Sequence, residues 1–320
     1  MSAAWTVAVT GANGFIGRHL VDLLRARAYR VRPLVRRADP SVPDAGLTGD
    51  LAGDVAWPSL LQGVDCVVHC AGMAHVALHS AEDHALAEQT NTGATRTLAR
   101  AAAAAGVQQF IYLSSAKVMG ERSGAQPWTE DDPPAPADPY ARSKAAAEAA
   151  LAEVAGATDL CVTVLRPPLV YGPGVRANFL RLLALADSRW PLPLGSAHAP
   201  RSMVYVGNLV DAIAACIGRR DACGQTFFVT DGQDMTVADL LRRLRTCLDR
   251  PARLLPCPAA LLQLAAATAG RTDDLARLLA PARCTSQRLQ QRLGWTPPVP
   301  LAQALRITTD WYRDHGRSAR

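Results

Sequence analysis

Aromatic residues are scarce in this 320-residue chain, at 5%, and charged residues reach only 19%. Beside 49% hydrophobic residues, that low charge excludes a disordered chain and fits a globular protein with a sizeable core. No dense block of one sign occurs. The 34 Lys and Arg against 28 Asp and Glu leave a net charge of +6, and cations scattered in this way predict a solvated surface and no nucleic-acid partner. No apolar run reaches bilayer length. Ala259–Ala269 is interrupted by Gln263 and predicts a buried or amphipathic helix, so no membrane insertion is expected. The N-terminus lacks a basic region, a long apolar stretch and a small-residue cleavage site, which predicts a cytoplasmic protein. The 8 cysteines include no C-x-x-C, so free thiols are expected rather than disulfides or a metal centre. His79 and His84 lack accompanying carboxylates, and no metal is expected.

What is present is an alternation. Thr6–Thr10, Val31–Val35, Cys66–His69, Phe110–Leu113 and Val162–Leu165 are short apolar runs separated by the helical stretches Phe15–Ala28, Thr92–Ala105 and Tyr140–Val154. Such runs predict a parallel sheet covered on both faces, the doubly wound α/β fold of Rossmann type. The rhythm breaks near residue 170, and the Pro-rich loop Trp190–Gly195 follows. Residues 1–170 are therefore expected to bind a dinucleotide. Residues 171–320 are expected to form mainly a smaller substrate lobe, with segments near 201–230 returning to the first domain. Core packing is expected for Trp190, with stacking on a uracil as the alternative. Gln126–Pro139 reads as an exposed loop.

Gly11-Ala12-Asn13-Gly14-Phe15-Ile16-Gly17 joins the first strand to the first helix. Three glycines at this spacing permit a tight bend, a bare backbone beside a pyrophosphate and close helix–strand contact. The helix N-terminus then offers unpaired N–H groups to the anion. Gly11, Asn13, Gly14, Phe15, Ile16 and Gly17 are thus candidate cofactor contacts. After the second strand stand Arg36 and Arg37 where an acid would hold the ribose of NAD, which favours NADP(H), with NAD(H) as the alternative. Asp39 reads as too late in the loop. Asp50 and Leu51 occupy a turn able to meet an adenine edge.

Tyr140 and Lys144 are four residues apart at a helix start, after Asp138-Pro139. Ser114 and Ser115 end a strand at the edge where such sheets place ligands. A phenol with an ordinary pKa near 10 is a poor base. A neighbouring ammonium lowers that pKa, and a serine hydroxyl can hold the same substrate oxygen.

These motifs, with His69-Cys70-Ala71-Gly72, Asn91-Thr92-Gly93-Ala94-Thr95, Leu165-Arg166-Pro167-Pro168, Arg201-Ser202-Met203-Val204-Tyr205-Val206 and Leu293-Gly294-Trp295-Thr296-Pro297, give the chain a family look. It resembles the extended short-chain dehydrogenase/reductases of the nucleotide-sugar epimerase/dehydratase group along nearly its whole length. The resemblance implies that Ser115, Tyr140 and Lys144 are catalytic, and that Ser115 fits better than Ser114. It places Ala71 and Gly72 under the adenosine half, Pro167 beside the nicotinamide, and Asn91 behind the active-site helix. It assigns Asn178 and Arg201 to the substrate's nucleotide and diphosphate. His75 and Lys117 are further candidates for substrate contact. Dehydratases of this group carry an Asp-Glu pair after the catalytic hydroxyl. Here Ala116-Lys117 follow Ser115, which weighs against dehydration. The surface-polysaccharide branch is the most similar, implying NADPH reduction of a UDP-4-keto-6-deoxy-N-acetylhexosamine in lipopolysaccharide biosynthesis. A UDP-hexose 4-epimerase is the alternative, and a non-catalytic cofactor-binding sensor a further one. The resemblance also implies a homodimer through Thr92–Ala105 and Tyr140–Val154.

Overall fold

In the computed structural model, which describes residues 5–73, 80–268, 272, 276 and 279–315, the alternation becomes a doubly wound sheet. The first half runs β1 (Thr6–Thr10), α1 (Phe15–Ala26), β2 (Arg30–Val35), β3 (Gly46–Leu47), α2 (Trp57–Leu61), β4 (Cys66–His69), α3 (Ala81–Glu88), α4 (Ala94–Ala104), β5 (Gln109–Leu113), α5 (Pro139–Ala157) and β6 (Cys161–Arg166). The second half runs β7 (Leu169–Tyr171), α6 (Ala177–Ala186), β8 (Pro200–Arg201), β9 (Met203–Tyr205), α7 (Val206–Cys216), β10 (Thr226–Phe228), β11 (Met235–Thr236), α8 (Val237–Cys247), α9 (Ala259–Thr268), α10 (Gln287–Leu293) and α11 (Leu301–Asp314). The short elements β3, α2, β7, β8 and β11 carry too few residues to show a period in the sequence.

Seven strands form one parallel sheet in the order β10-β6-β5-β4-β1-β2-β3. Both faces are buried, and the strands show it residue by residue. Val7, Val9, Ile111 and Leu113 enter one core with α1 and α7, while Ala8, Phe110 and Tyr112 enter the other with α4 and α5. The order reverses between β1 and β4, which opens a crevice at the carboxyl ends of those strands. The glycine loop follows β1, Arg36 follows β2, Cys70–Gly72 follow β4, Ser114 and Ser115 follow β5, and Pro167 follows β6. One edge therefore collects the candidate residues of the first half.

The later chain is tied to this sheet. Strand β10 pairs with β6, β9 with β7, and β11 with β8. Asp231 is buried at the start of α7, where it accepts hydrogen bonds from the Tyr171 hydroxyl (2.8 Å), the Tyr205 N–H (3.0 Å) and the Asn208 amide (2.8 Å). A carboxylate suits the positive end of a helix, and here it joins three segments distant in sequence.

Two expectations fail. Cys161 and Cys223 are paired, with Cα atoms 5.1 Å apart, while six other cysteines are free. They lie 62 residues apart in sequence, and only the parallel pairing of β10 with β6 brings them together. Trp190 is 79% exposed instead of packed in the core. Its loop is anchored through the backbone: the buried guanidinium of Arg245 donates to the Ser188 and Trp190 carbonyls at 3.0 and 2.6 Å, leaving the ring outside. Among the described residues, no helix is long and apolar enough to cross a membrane.

Asp231→Ala removes one acceptor from three donors. We expect it to cost about 3 kcal/mol, read as a lower urea midpoint at unchanged slope. An unmoved midpoint would show that those donors find other acceptors.

Candidate active site

The glycine loop is shaped by close contact. Gly11 sits at φ 65°, and a Cβ there would lie 3.0 Å from the backbone of Ala71. A Cβ on Gly17 would fall 2.1 Å from the Gly11 carbonyl oxygen, so the first turn of α1 can press against the loop only with glycine there. No side chain caps α1, whose first turn, with Phe15 and Ile16, faces the crevice with its backbone N–H groups unclaimed by any cap. These features fit a pyrophosphate.

Asn13 brings in a residue that sequence reasoning set aside. Its side-chain amide donates to Asp39 at 2.8 Å, and Ser41 donates to the same carboxylate from N–H and hydroxyl. Hydrogen bonds from Ser41 and then Asn13 hold the Asp39 carboxyl down to about 2. The loop after β2 folds back on the glycine loop, so counting residues from the strand end misplaced Asp39. Arg36 and Arg37 are exposed. Asp50 caps its own turn by accepting the Ala52 N–H at 3.0 Å, with Leu51 half-buried beside it.

The floor of the crevice is a polar chain. His69 is buried between the Thr10 hydroxyl (2.7 Å) and the Thr95 hydroxyl (3.0 Å), and burial pushes its ring down to about 3, so it is neutral. Thr10 also accepts the Ala71 N–H at 3.2 Å. Asn91, in a π-helical turn (Gln89–Gly93), accepts the Met73 N–H at 2.8 Å and donates to the Ser143 hydroxyl at 3.0 Å. It thereby joins the loop after β4 to α5. A Cβ on Gly72 would lie 2.9 Å from the Asn91 oxygen and 3.4 Å from the Lys144 ammonium.

Asp138 starts α5 by accepting the Ala141 N–H at 2.7 Å, with Pro139 at the first helical position. This cap sets Tyr140 in the first turn and Lys144 one turn later. Ser115 lies near enough to the Tyr140 hydroxyl to favour its ionised form, so the structure brings the two together. The buried ammonium of Lys144 donates to the Leu113 carbonyl at 2.9 Å and lies 4.7 Å from the centre of the Tyr112 ring. Burial brings Lys144 down to about 8, while nearby Cys70 and Glu148 act to raise it. The phenol differs from the sequence argument. Burial and then the charge of Asp138 push Tyr140 up to about 12, because both disfavour phenolate; nearby Ser115 works the other way.

Behind Ser115 stands an ion pair that no motif announced. Glu148 accepts from Arg166 at 2.6 and 3.1 Å and from the Ser114 hydroxyl. Both charged side chains are nearly buried. Glu148 lies four residues beyond Lys144, a spacing that could have placed it on the same helix face. Pro167 accepts the Ala116 N–H at 2.9 Å through its carbonyl, which fixes the Ser115 turn to the end of β6.

The remaining candidates spread outward. Lys117 pairs with Asp138 at 2.7 Å and so belongs to the cap of α5. Asn178 is exposed in the first turn of α6, after a turn whose Pro173 carbonyl contacts the His19 ring at 2.8 Å. Arg201 is half-buried in β8 and donates to the Ala280 carbonyl at 3.0 Å. Ala280 also lines a cavity of about 200 Å³ with Arg122, Gln263 and Pro281. His75 lies outside the described residues. Among the described residues, no group of three or more His, Cys, Asp or Glu could hold a metal.

Comparison with known proteins accords with this geometry. The sequence is 37% identical over 310 residues to a UDP-glucose 4-epimerase of Vibrio cholerae, covering 95% of this chain and 94% of that one. It is 30% identical over 318 residues to a GDP-6-deoxy-D-mannose reductase of Pseudomonas aeruginosa, covering 95% and 96%. Among solved structures it is similar to MoeE5 in complex with UDP-glucose and NAD, with 27% identity, a TM-score of 0.76, and coverage of 98% and 100%. Residues 7–229 match the NAD dependent epimerase/dehydratase family, and the chain, an extended short-chain dehydrogenase/reductase with a nicotinamide dinucleotide cofactor, belongs to it.

Proposed function

We propose that this chain moves hydride between a nicotinamide and C4 of a UDP-sugar. The observation that carries the reading is the meeting of Ser115, Tyr140 and Lys144 at the carboxyl edge of the sheet, beside a glycine loop built for a pyrophosphate. The bound nicotinamide supplies or accepts the hydride. The chain's own groups handle the proton and the geometry. Tyr140 exchanges a proton with the C4 oxygen, Ser115 holds that oxygen, and Lys144 keeps a positive charge one helical turn away. Gly11, Gly14, Gly17, Asn13, Phe15 and Ile16 cradle the pyrophosphate. Ala71 and Gly72 line the adenosine half, with Asp50 and Leu51 at its edge, and Pro167 borders the nicotinamide. Residues 171–320 form most of the nucleotide-sugar side, where Arg201 and Asn178 meet the diphosphate and the base. We place His75 beside the sugar.

Epimerisation at C4 with a retained NAD is the outcome we adopt. It is supported by the 37% identical relative named as a UDP-glucose 4-epimerase and by the NAD in the similar structure. Asp39, held ionised at Asn13, would set a like charge against a 2′-phosphate. The second reading is NADPH reduction of a UDP-4-keto-6-deoxy-N-acetylhexosamine for surface polysaccharide, in the cytoplasm. It is favoured by the exposed Arg36 and Arg37 and by the 30% identical reductase. In either case α4 and α5, which pack on each other, would form a homodimer.

Three outcomes test this. Tyr140→Phe is expected to keep fold and cofactor while cutting turnover of UDP-glucose or the 4-keto sugar at least about a hundredfold; near-normal turnover would remove Tyr140 from the chemistry. Purified protein is expected to retain oxidised NAD through gel filtration and to interconvert UDP-hexose epimers by NMR, whereas exchangeable NADPH consumed by the 4-keto sugar would establish the reductase. Asp39→Ala is expected to narrow the preference for NAD over NADP about tenfold by removing the like charge; an unchanged ratio in equilibrium titration would take Asp39 out of cofactor choice.

A further inference from the structure

We propose that Lys117 is a positioning residue that acts on Tyr140 through Asp138: their ion pair clamps the Ser115 turn to the start of α5 and neutralises the carboxylate next to the phenol. The inference rests on the proton-transfer reading of Tyr140.

The two oxygens of Asp138 do different work. Oδ1 caps α5 by accepting the Ala141 N–H, and Oδ2 accepts the Lys117 ammonium, each at 2.7 Å. Lys117 in turn is anchored to Ser115, since its backbone N–H donates to the Ser115 hydroxyl at 3.2 Å. A continuous strut therefore runs from Ser115 through Lys117 and Asp138 to the helix turn that bears Tyr140. It joins the two residues whose hydroxyls must converge on one substrate oxygen. The Lys117 ammonium also stands 6.0 Å from the centre of the Tyr140 ring.

The charges around the phenol make the sign definite. Among the described residues, Asp138 precedes Tyr140 on its own segment, and Lys144 follows it one turn along the helix. Ser115 and Lys117 face it from the turn after β5, and Tyr112 approaches from β5 itself. Farther back are Cys70 and Glu148, which act on Lys144. The charge of Asp138 makes the phenol hold its proton more tightly. A cation on that carboxylate offsets the effect. Half of the Lys117 side chain is exposed, and an ion pair with that exposure adds little to stability. The pair's consequence is thus local to the phenol.

In the oxidising direction the phenol must give up its proton, so kcat/KM rises with pH through its ionisation. Lys117→Met, measured as the holoenzyme with UDP-glucose, is expected to move that acid limb up by about one pH unit and to lower kcat/KM at pH 7 about tenfold. KM and Tm should stay near wild type. Lys117→Arg should hold the limb in place. Lys117→Met combined with Asp138→Asn, which retains a capping oxygen, should return the limb toward wild type, because both charges are gone. The proposal is overturned if Lys117→Met leaves the limb unmoved, if the double variant is no better than the single one, or if only KM rises, which would make Lys117 a substrate contact. Tyrosinate absorbance, taken as the difference from Tyr140→Phe in each background, reads the same ionisation without turnover. A higher onset in Lys117→Met supports the proposal even if no UDP-sugar is turned over, an outcome that would defeat the C4 reading alone.

Discussion

A buried ammonium organises this site. Removing a charge from water is costly unless the surroundings hold it, and Lys144 is held by the Leu113 carbonyl and the face of Tyr112 rather than by a paired carboxylate. That choice fixes much else. The carbonyl belongs to the last residue of β5, so the lysine sits against the sheet edge that presents Ser114 and Ser115. A side chain at position 72 would collide with the Asn91 oxygen, 2.9 Å from where its Cβ would lie, with the ammonium in contact at 3.4 Å.

Two ion pairs and a further carboxylate lie around this crevice, and their surroundings separate their roles. Glu148 and Arg166 are nearly buried and hold Ser114 from behind, so removing either member would strand a charge in the core. Asp138 and Lys117 lie at the rim, where water screens them and where their influence is confined to the Ser115 turn and the start of α5. Asp39 is half-buried and held by donors of its own turn and of the glycine loop, with the charge of Arg18 also favouring its ionised form. Carboxylates thus support a wall, set a helix start and hold one loop against the glycine loop.

The doubly wound fold class and the glycine loop were legible along the chain because they depend on local features: short apolar runs between helical stretches, glycines at fixed spacing, and an Asp-Pro helix start. Ser115, Tyr140 and Lys144 were legible because helix geometry and strand ends relate them directly. Arg201 and Asn178 could be named only through family resemblance, since no local period points to them. The pairing of Cys161 with Cys223, the exposure of Trp190 and the contact of Asp39 with Asn13 were hidden, for each depends on segments that meet only after the sheet has closed.

By itself the sequence determined the longer strands and helices of the first half, where the backbone must be bare, and that a phenol and an ammonium share one helix face, because each of these is set within a few residues. Tertiary structure alone decided the protonation tendencies. Burial and the neighbouring Asp138 raise Tyr140, burial lowers Lys144, and hydrogen bonds from Ser41 and then from Asn13, on which the loop folds back, lower Asp39. Those shifts come from desolvation, hydrogen bonds and through-space charge, which depend on how the folded chain sets atoms around each group.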